Sequence, residues 1–250
     1  MTLLERRPAT PIYLERGPIA CLVLHGFAGS PAEVRPVIQH LADHGITVSA
    51  PVLPGHGTSP EELKETRSRH WVRAAEAELI SLQERFGVKN VHVVGFSMGG
   101  LIALYLAAHH QVASVTTLAT PSKLADWRQI LVPLGKYLVP WYESRIRNPE
   151  IAAQLETNYE RMPTSAIHSL LRLARRVRKD LPRVTAPVQS LQGDRDKWIA
   201  PESAAFIMEH VSSTVRQMQI LPGRNHFVAL ERGRDQVCQA VLSWIESHNP

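Results

Sequence analysis

Apolar runs rich in β-branched residues alternate along this chain with segments of helical periodicity, and this alternation restricts the fold more than any other feature. Continuous apolar runs are typical of strands covered on both faces, and helices between such strands favour parallel pairing. We therefore predict an α/β fold with a mostly parallel central sheet and helices on both faces. The predicted strands are 12–14, 19–24, 46–50, 91–95, 112–118, 188–191 and 215–221.

Helical stripes occupy the gaps between the predicted strands. Ser30, Pro31 and Glu33 supply a capping residue, a proline at the first helical position and a glutamate three residues after the cap, which is the pattern of a helix start. Residues 72–86 carry apolar side chains three and four positions apart, as one buried helix face requires. Further stripes follow Met98, Glu202 and Arg234.

The alternation stops between residues 122 and 183. Apolar and aromatic side chains crowd together at 127–142, a second helical stretch runs over 163–179, and no strand is evident. We predict that 122–183 form a small helical cap inserted into a core made of 1–121 and 184–250. The cluster at 127–142 fits two roles equally well, which are packing between cap and core or lining a pocket.

The composition favours a soluble protein with one core. The chain has 250 residues, 44% of them hydrophobic, and no apolar run reaches the roughly 18 residues that cross a bilayer. Cys21 and Cys238 lie in apolar segments and are interpreted as core side chains. The first residues lack the apolar stretch of a secretion signal, so we expect a cytoplasmic protein without stable membrane association, although a form whose signal had been removed would look the same.

The net charge of +5 is concentrated in one helical segment. Residues 172–183 hold six arginines and lysines against Asp180, which accounts for the whole positive excess. A nucleic-acid surface would be expected to carry aromatic residues or a known motif beside the charges. We therefore interpret the segment as one solvated helix face and expect no nucleic-acid partner.

The segment Gly95-Phe96-Ser97-Met98-Gly99 separates a predicted strand from a predicted helix. A serine in this context lies on a tight turn, and glycines are needed at 95 and 99 because a β-carbon there would collide with neighbouring backbone. The turn holds the hydroxyl clear of the sheet at a helix N-terminus, where developing negative charge is favoured. Ser97 is therefore the predicted nucleophile.

A neutral serine is a poor nucleophile, so a histidine must take its proton and an acid must orient that histidine. In this fold class the acid and then the histidine follow the serine along the chain, each on a loop after a later strand. His226 comes directly after the predicted strand 215–221, whereas His210 lies in a helical stretch and His248 at the C-terminus. His226 is the predicted base.

The acid is expected on the loop after the predicted strand 188–191. Gly193-Asp194-Arg195-Asp196 offers two carboxylates. Asp196 lies farther out in the loop, where it can reach an imidazole, so it is the predicted orienting acid. Asp194 is nearer the strand end and is expected to hold the turn.

The charge that develops on a carbonyl oxygen during serine attack needs backbone donors that are already in place. The amide of Met98, directly after the nucleophile, is one predicted donor. The other is the amide of Phe27, in the loop His25-Gly26-Phe27-Ala28-Gly29 that follows the first long strand. We interpret the side chain of His25 as a structural hydrogen-bonding group.

Five segments together resemble the bacterial carboxylesterases and monoacylglycerol lipases of the α/β-hydrolase superfamily. The resemblance implies an esterase that prefers short to medium acyl chains, needs no cofactor and carries a small cap at the insertion. It also supports Asp196 over Asp194, but it does not separate simple alkyl esters from monoacylglycerols. The segments that carry it are Leu24-His25-Gly26-Phe27-Ala28-Gly29, Pro54-Gly55-His56-Gly57-Thr58, Gly95-Phe96-Ser97-Met98-Gly99-Gly100, 193–199 and Asn225-His226.

We therefore predict a serine hydrolase that cleaves small-molecule carboxylic esters through an acyl-enzyme intermediate. Alternatives on the same scaffold are a thioesterase, a carbon–carbon hydrolase and a perhydrolase, and an alternative of another class is a ligand receptor with residual hydrolysis. His40 and His44 have a spacing that can hold zinc, but no third ligand lies nearby, so no metal is expected.

Overall fold

The computed structural model describes residues 9–123, 139–143, 148–155, 159–200 and 202–249. Within these ranges seven strands form one sheet, and they are β1 (Ile12–Leu14), β2 (Ala20–Leu24), β3 (Thr47–Ala50), β4 (Val91–Phe96), β5 (Val115–Leu118), β8 (Val188–Gly193) and β9 (Arg216–Leu221). Their order across the sheet is β1-β3-β2-β4-β5-β8-β9. In this sheet only the β1–β3 pair is antiparallel, and the other pairs are parallel, as predicted.

Helices cover both faces of the sheet. Two buried apolar clusters lie on its two sides, and alternate residues of β2 belong to different clusters, as the pleat of a strand requires. The described helices are α1 (Arg35–Asp43), α2 (Pro60–Glu65), α3 (Ser68–Phe86), α4 (Met98–His109), α5 (Pro149–Ala152), α6 (Thr164–Asp180), α7 (Glu202–His210) and α8 (Arg234–Ser247). Side chains of α1 and α8 belong to one cluster, and side chains of α3, α4, α6 and α7 belong to the other.

The start of the first helix differs in detail from the predicted pattern. Ser30 caps it as expected, since its Oγ accepts a hydrogen bond from the Ala32 amide at 3.3 Å. Pro31–Val34 form a 3₁₀ turn that precedes α1. Glu33 in this turn is buried, and its carboxyl group reaches the loop that follows β2.

The segment between β5 and β8 contains strands that the sequence did not indicate. β6 (Trp141–Glu143) and β7 (Arg161–Pro163) pair antiparallel, so the prediction of a segment without strands is wrong. Each strand has three residues, too few to show an alternating pattern. Most of the aromatic cluster at 127–142 lies outside the described residues.

The predicted helix at 163–179 is confirmed as α6, which packs along α4. Its apolar side chains Leu173, Ala174 and Val177 are buried in the same cluster as α4. At its C-terminal end, Asp180 accepts hydrogen bonds from Arg176 at 2.7 Å and from His109 of α4 at 3.2 Å. The boundary between cap and core at residue 184 stays a prediction.

The basic segment forms the solvent-exposed face that was predicted. Its arginines and lysines are exposed or half-buried, while the apolar residues of the same helix face the core. Cys21 and Cys238 are buried free thiols, in agreement with their interpretation as core side chains. In the described part of the chain, every helix is too short or too polar to cross a membrane.

Candidate active site

Ser97 lies on a sharp turn between β4 and α4. Its φ of 52° is in the left-handed region, which side chains other than glycine seldom adopt. The turn is held by the Ser97 amide, which donates to the Leu118 carbonyl at 2.8 Å, and by the Gly100 amide, which donates to the Ser97 carbonyl at 3.0 Å. The strained turn presents the hydroxyl at the carboxyl edge of the sheet.

Close backbone approaches explain the two glycines of the turn. A β-carbon on Gly95 would overlap the backbone of Gly99, and one on Gly99 would overlap the carbonyl of Leu24 at the end of β2. Larger residues at either position would force β4, α4 and β2 apart. The predicted need for glycine at 95 and 99 is therefore confirmed.

The structure brings the three predicted side chains together. Ser97 Oγ lies 3.2 Å from His226 Nε2, and His226 Nδ1 lies 2.8 Å from Asp196 Oδ2. The acid and the histidine come from the loops after β8 and β9, whose carboxyl ends meet at the edge where β4 ends. The Asp196 side chain is fully buried and the His226 side chain nearly so. This is the arrangement in which an imidazole can take a proton from a hydroxyl.

Asp196 is held by more hydrogen bonds than the sequence indicated. Its Oδ1 accepts from the amides of Trp198 at 2.8 Å and Ile199 at 2.9 Å, and its Oδ2 also accepts from Gln192 Nε2 at 3.0 Å. Burial acts to raise the pKa of Asp196, but the hydrogen bond and charge of His226, with the two amides, outweigh burial and hold that pKa below its ordinary value. The carboxylate is therefore ionised at neutral pH, as the orientation of an imidazole requires.

Asp194 takes a different place in the same loop. Its exposed carboxylate accepts a hydrogen bond from the Gly223 amide at 2.7 Å, which ties the ends of β8 and β9 together. This is the turn-holding position that was expected for it. Of the two acids in the loop, it is Asp196 that lies against the imidazole.

The amides of Phe27 and Met98 are the two predicted donors to a developing oxyanion. Met98 is the first residue of α4, where backbone N–H groups have no partner within the helix. Within the described residues, neither amide donates to a backbone carbonyl outside helices and strands. Gly99, next to Met98, approaches the carbonyls of Leu24 and His25, so the turn and the loop after β2 lie side by side.

His25 anchors the loop that contains Phe27. Its Nδ1 lies 2.8 Å from the Gly26 carbonyl, and its Nε2 accepts a hydrogen bond from the Leu53 amide at 3.0 Å. Because Nε2 accepts, the ring proton is on Nδ1 and is donated to Gly26. Burial lowers the pKa of His25 to about 4, which keeps the ring neutral. The structural role expected for His25 agrees with this geometry.

Aromatic side chains surround the imidazole of His226. The ring centroids of Trp198 and Phe96 both lie 5.0 Å from that of His226, and Phe227 lies 5.5 Å away. Trp198 is 51% exposed, so its ring presents apolar surface beside the imidazole. Neither Trp198 nor Gln192 was predicted from the sequence to lie at the site, and Glu33 was predicted only as part of a helix start. Trp198 lies two residues after the predicted acid, and this position is the only signal in the sequence that points to it.

Metal ligands do not cluster in the described ranges, where no group of three or more His, Cys, Asp or Glu side chains could hold an ion. His44 instead places its Nδ1 2.8 Å from the carbonyl of His40, one turn earlier.

The sequence matches the α/β-hydrolase fold family over residues 20–208, and the chain belongs to this family. It is 31% identical over 245 residues to a thermostable monoacylglycerol lipase of Bacillus sp. (strain H-257), covering 96% of this chain and 95% of that protein. It is 26% identical over 236 residues to a carboxylesterase of Bacillus subtilis (strain 168), covering 94% of this chain and 96% of that protein.

Solved structures share the fold. That of a metagenome-derived lipolytic enzyme superposes with a TM-score of 0.88 at 24% identity, covering 99% of this chain and 100% of the other. That of a monoacylglycerol lipase from Paleococcus ferrophilus superposes with a TM-score of 0.79 at 17% identity, covering 95% of this chain and 98% of the other. At these identities the likeness supports the architecture alone.

Asp194 and Asp196 lie in the same loop after β8, so substituting each of them provides a matched test of the site. Asp196→Asn should slow labelling of Ser97 by a fluorophosphonate probe by about 10²- to 10⁴-fold, because the imidazole loses its anionic partner and its fixed tautomer. Asp194→Asn should label at nearly the wild-type rate, since asparagine can still accept from Gly223. Equal rates for the two variants would contradict the assignment of Asp196.

Proposed function

We propose that this protein hydrolyses carboxylic esters, with Ser97 as nucleophile, His226 as general base and acid, and Asp196 as the group that orients the imidazole. The observation that carries the proposal is the continuous chain of hydrogen-bonding distances from Ser97 Oγ through His226 to Asp196. Relatives that align over nearly the whole chain are named as a monoacylglycerol lipase and a carboxylesterase, which supports an ester as the substrate.

In the first half of the reaction, Ser97 Oγ bonds to the carbonyl carbon of the ester while its proton passes to His226 Nε2. The carbonyl oxygen becomes an anion that faces the amides of Phe27 and Met98, which stabilise it. Asp196 stabilises the imidazolium that forms. The carbon–oxygen bond to the alcohol then breaks, and His226 returns the proton to the departing alcohol.

In the second half, water replaces the alcohol. His226 takes a proton from the water as its oxygen bonds to the acyl carbon, and the same two amides hold the second oxyanion. When that intermediate collapses, the bond to Ser97 breaks and His226 returns the proton to Oγ. The carboxylic acid leaves, and no cofactor is needed because every proton stays between substrate, water and imidazole.

The proposed substrates are esters of short to medium acyl chains, either simple alkyl esters or monoacylglycerols. Residues 122–183 are proposed as the cap under which the ester binds. Thioesters remain the rival substrate because they react by the same steps.

A fluorogenic or chromogenic acyl ester tests the proposal. Ser97→Ala should lower kcat on p-nitrophenyl butyrate by about 10⁴-fold or more, because the reaction loses its nucleophile. Ser212→Ala is the matched control, since Ser212 is exposed and bonds only to the Pro182 carbonyl among its described contacts. Full turnover by the Ser97 variant would refute the proposal.

A substrate panel separates the alternatives within the same experiment. Alkyl esters, monoacylglycerols, a thioester and an amide should be compared by kcat/KM. Higher kcat/KM on the thioester than on every oxygen ester would favour a thioesterase. Slow fluorophosphonate labelling without turnover on any member would favour a receptor.

The ring of Trp198 lies beside the catalytic imidazole, where it can contact the alcohol group of an ester. Since His226 protonates the departing alcohol, that group must lie beside His226 Nε2, and the half-exposed ring of Trp198 is next to the same imidazole. An aromatic ring offers apolar surface to an alcohol with apolar or aromatic substituents. We therefore expect Trp198 to influence the choice of alcohol and not the choice of acyl chain.

Trp198→Ala should lower kcat/KM for benzyl butyrate roughly tenfold, corresponding to about 1–1.5 kcal/mol of lost apolar contact. Methyl butyrate, which lacks that surface, serves as the reference substrate for the same variant. The assay is steady-state kinetics by titration of the released acid. A loss that is equal for both esters would show that the ring does not contact the alcohol.

A further inference from the structure

Glu33 is a buried acid that the proposed reaction does not use. It lies in the 3₁₀ turn Pro31–Val34, with only 5% of its surface exposed. A β-carbon on Gly29 would overlap its carboxyl group, so the loop after β2 is packed directly against this acid. A buried carboxyl group in contact with the loop that contains Phe27 requires a physical reason, because burying it is costly.

The contact is a hydrogen bond to the loop backbone. The amide of Gly26 donates to Glu33 Oε2 at 2.7 Å, a short distance for an N–H donor. Burial raises the pKa of Glu33 to about 8, although the hydrogen bond from Gly26 acts to lower that pKa. The acid is therefore mostly protonated at neutral pH and accepts this bond without placing a full negative charge near a developing oxyanion.

Both the N–H and the carbonyl of Gly26 are hydrogen-bonded to side chains. Glu33 fixes the direction of its N–H, and the His25 ring, through Nδ1, fixes the direction of its carbonyl. These two bonds restrain both backbone dihedrals of a residue that otherwise has the greatest conformational freedom. The Gly26 carbonyl belongs to the same planar peptide as the Phe27 N–H, which must point the opposite way. The conformation of Gly26 therefore sets the direction of the Phe27 N–H.

We propose that Glu33 is a positioning residue for the oxyanion site, and that its hydrogen bond to Gly26 holds the Phe27 amide where the carbonyl oxygen develops charge. The inference rests on the proposed ester hydrolysis. It differs from a purely structural role for Glu33 because it assigns the effect to the transition state. A structural role would change the stability or the substrate affinity, whereas a positioning role changes kcat.

Two substitutions of nearly equal length isolate the hydrogen bond. Glu33→Gln keeps an oxygen that can accept from the Gly26 amide, whereas Glu33→Met has no such oxygen. On p-nitrophenyl butyrate, the Met variant should lose at least about tenfold in kcat, approaching the 10²–10³-fold cost of losing an oxyanion donor, with KM nearly unchanged. The Gln variant should recover most of this loss.

Binding of an alkyl trifluoromethyl ketone provides a second readout, since its adduct with Ser97 carries an oxyanion. Its inhibition constant should rise in the Met variant by the same factor as kcat falls, and should stay near the wild-type value in the Gln variant. Circular dichroism melting corrects each rate for the folded fraction. If the Met variant does not fold, Glu33→Asp, which withdraws the acceptor by one methylene, should show the same loss of kcat.

Equal kcat in the folded Met variant and the wild type would overturn the role of Glu33, as would a loss confined to KM or one that Gln does not reverse. These outcomes are separate from failure of the proposed function. In that case the wild-type protein itself would not turn over the ester, whatever residue stands at 33.

Discussion

Backbone crowding where β2, β4 and α4 meet is the constraint on which the site depends. Gly95 lies against Gly99, and Gly99 lies against the carbonyls of Leu24 and His25, at distances that leave no room for a β-carbon. The crowding forces the chain through the left-handed conformation at Ser97, which lifts the hydroxyl from the sheet. The same contacts press the nucleophile turn against the loop after β2. One set of close approaches therefore places the nucleophile and both candidate oxyanion donors together.

Two buried acids near this edge have opposite electrostatic properties. Asp196 accepts from His226, Gln192 and two amides, and its pKa is held below the ordinary value, so it remains charged beside a ring that must become positive. Glu33 lies against a loop that must face negative charge, and burial raises its pKa to about 8. A charged acid behind the imidazole and a mostly neutral acid behind the oxyanion loop both favour the same charge separation in the transition state.

The parts of the site that could be predicted are those encoded in short segments with a known order along the sheet. The glycine pattern around Ser97 and the positions of Asp196 and His226 after consecutive strands required no knowledge of distant contacts. Glu33 was misleading, since its spacing from Ser30 is that of a helix-capping residue, and its contact with Gly26 depends on how the loop folds back. β6 and β7 were missed because three residues carry no periodicity and both strands lie where the strand–helix alternation stops, whereas the equally short β1 lies at its start. The roles of the three predicted side chains and the boundary of the cap remain predictions.

The most direct measurement is a crystal structure of the protein after reaction with an alkyl phosphonate, which leaves a tetrahedral group on the nucleophile. We expect the phosphorus on Ser97 Oγ and its phosphoryl oxygen about 2.7–3.1 Å from the amide nitrogens of Phe27 and Met98. His226 should stay hydrogen-bonded to Asp196 in that structure. A phosphonate on another residue, or a phosphoryl oxygen that points to solvent and away from both amides, would contradict the account.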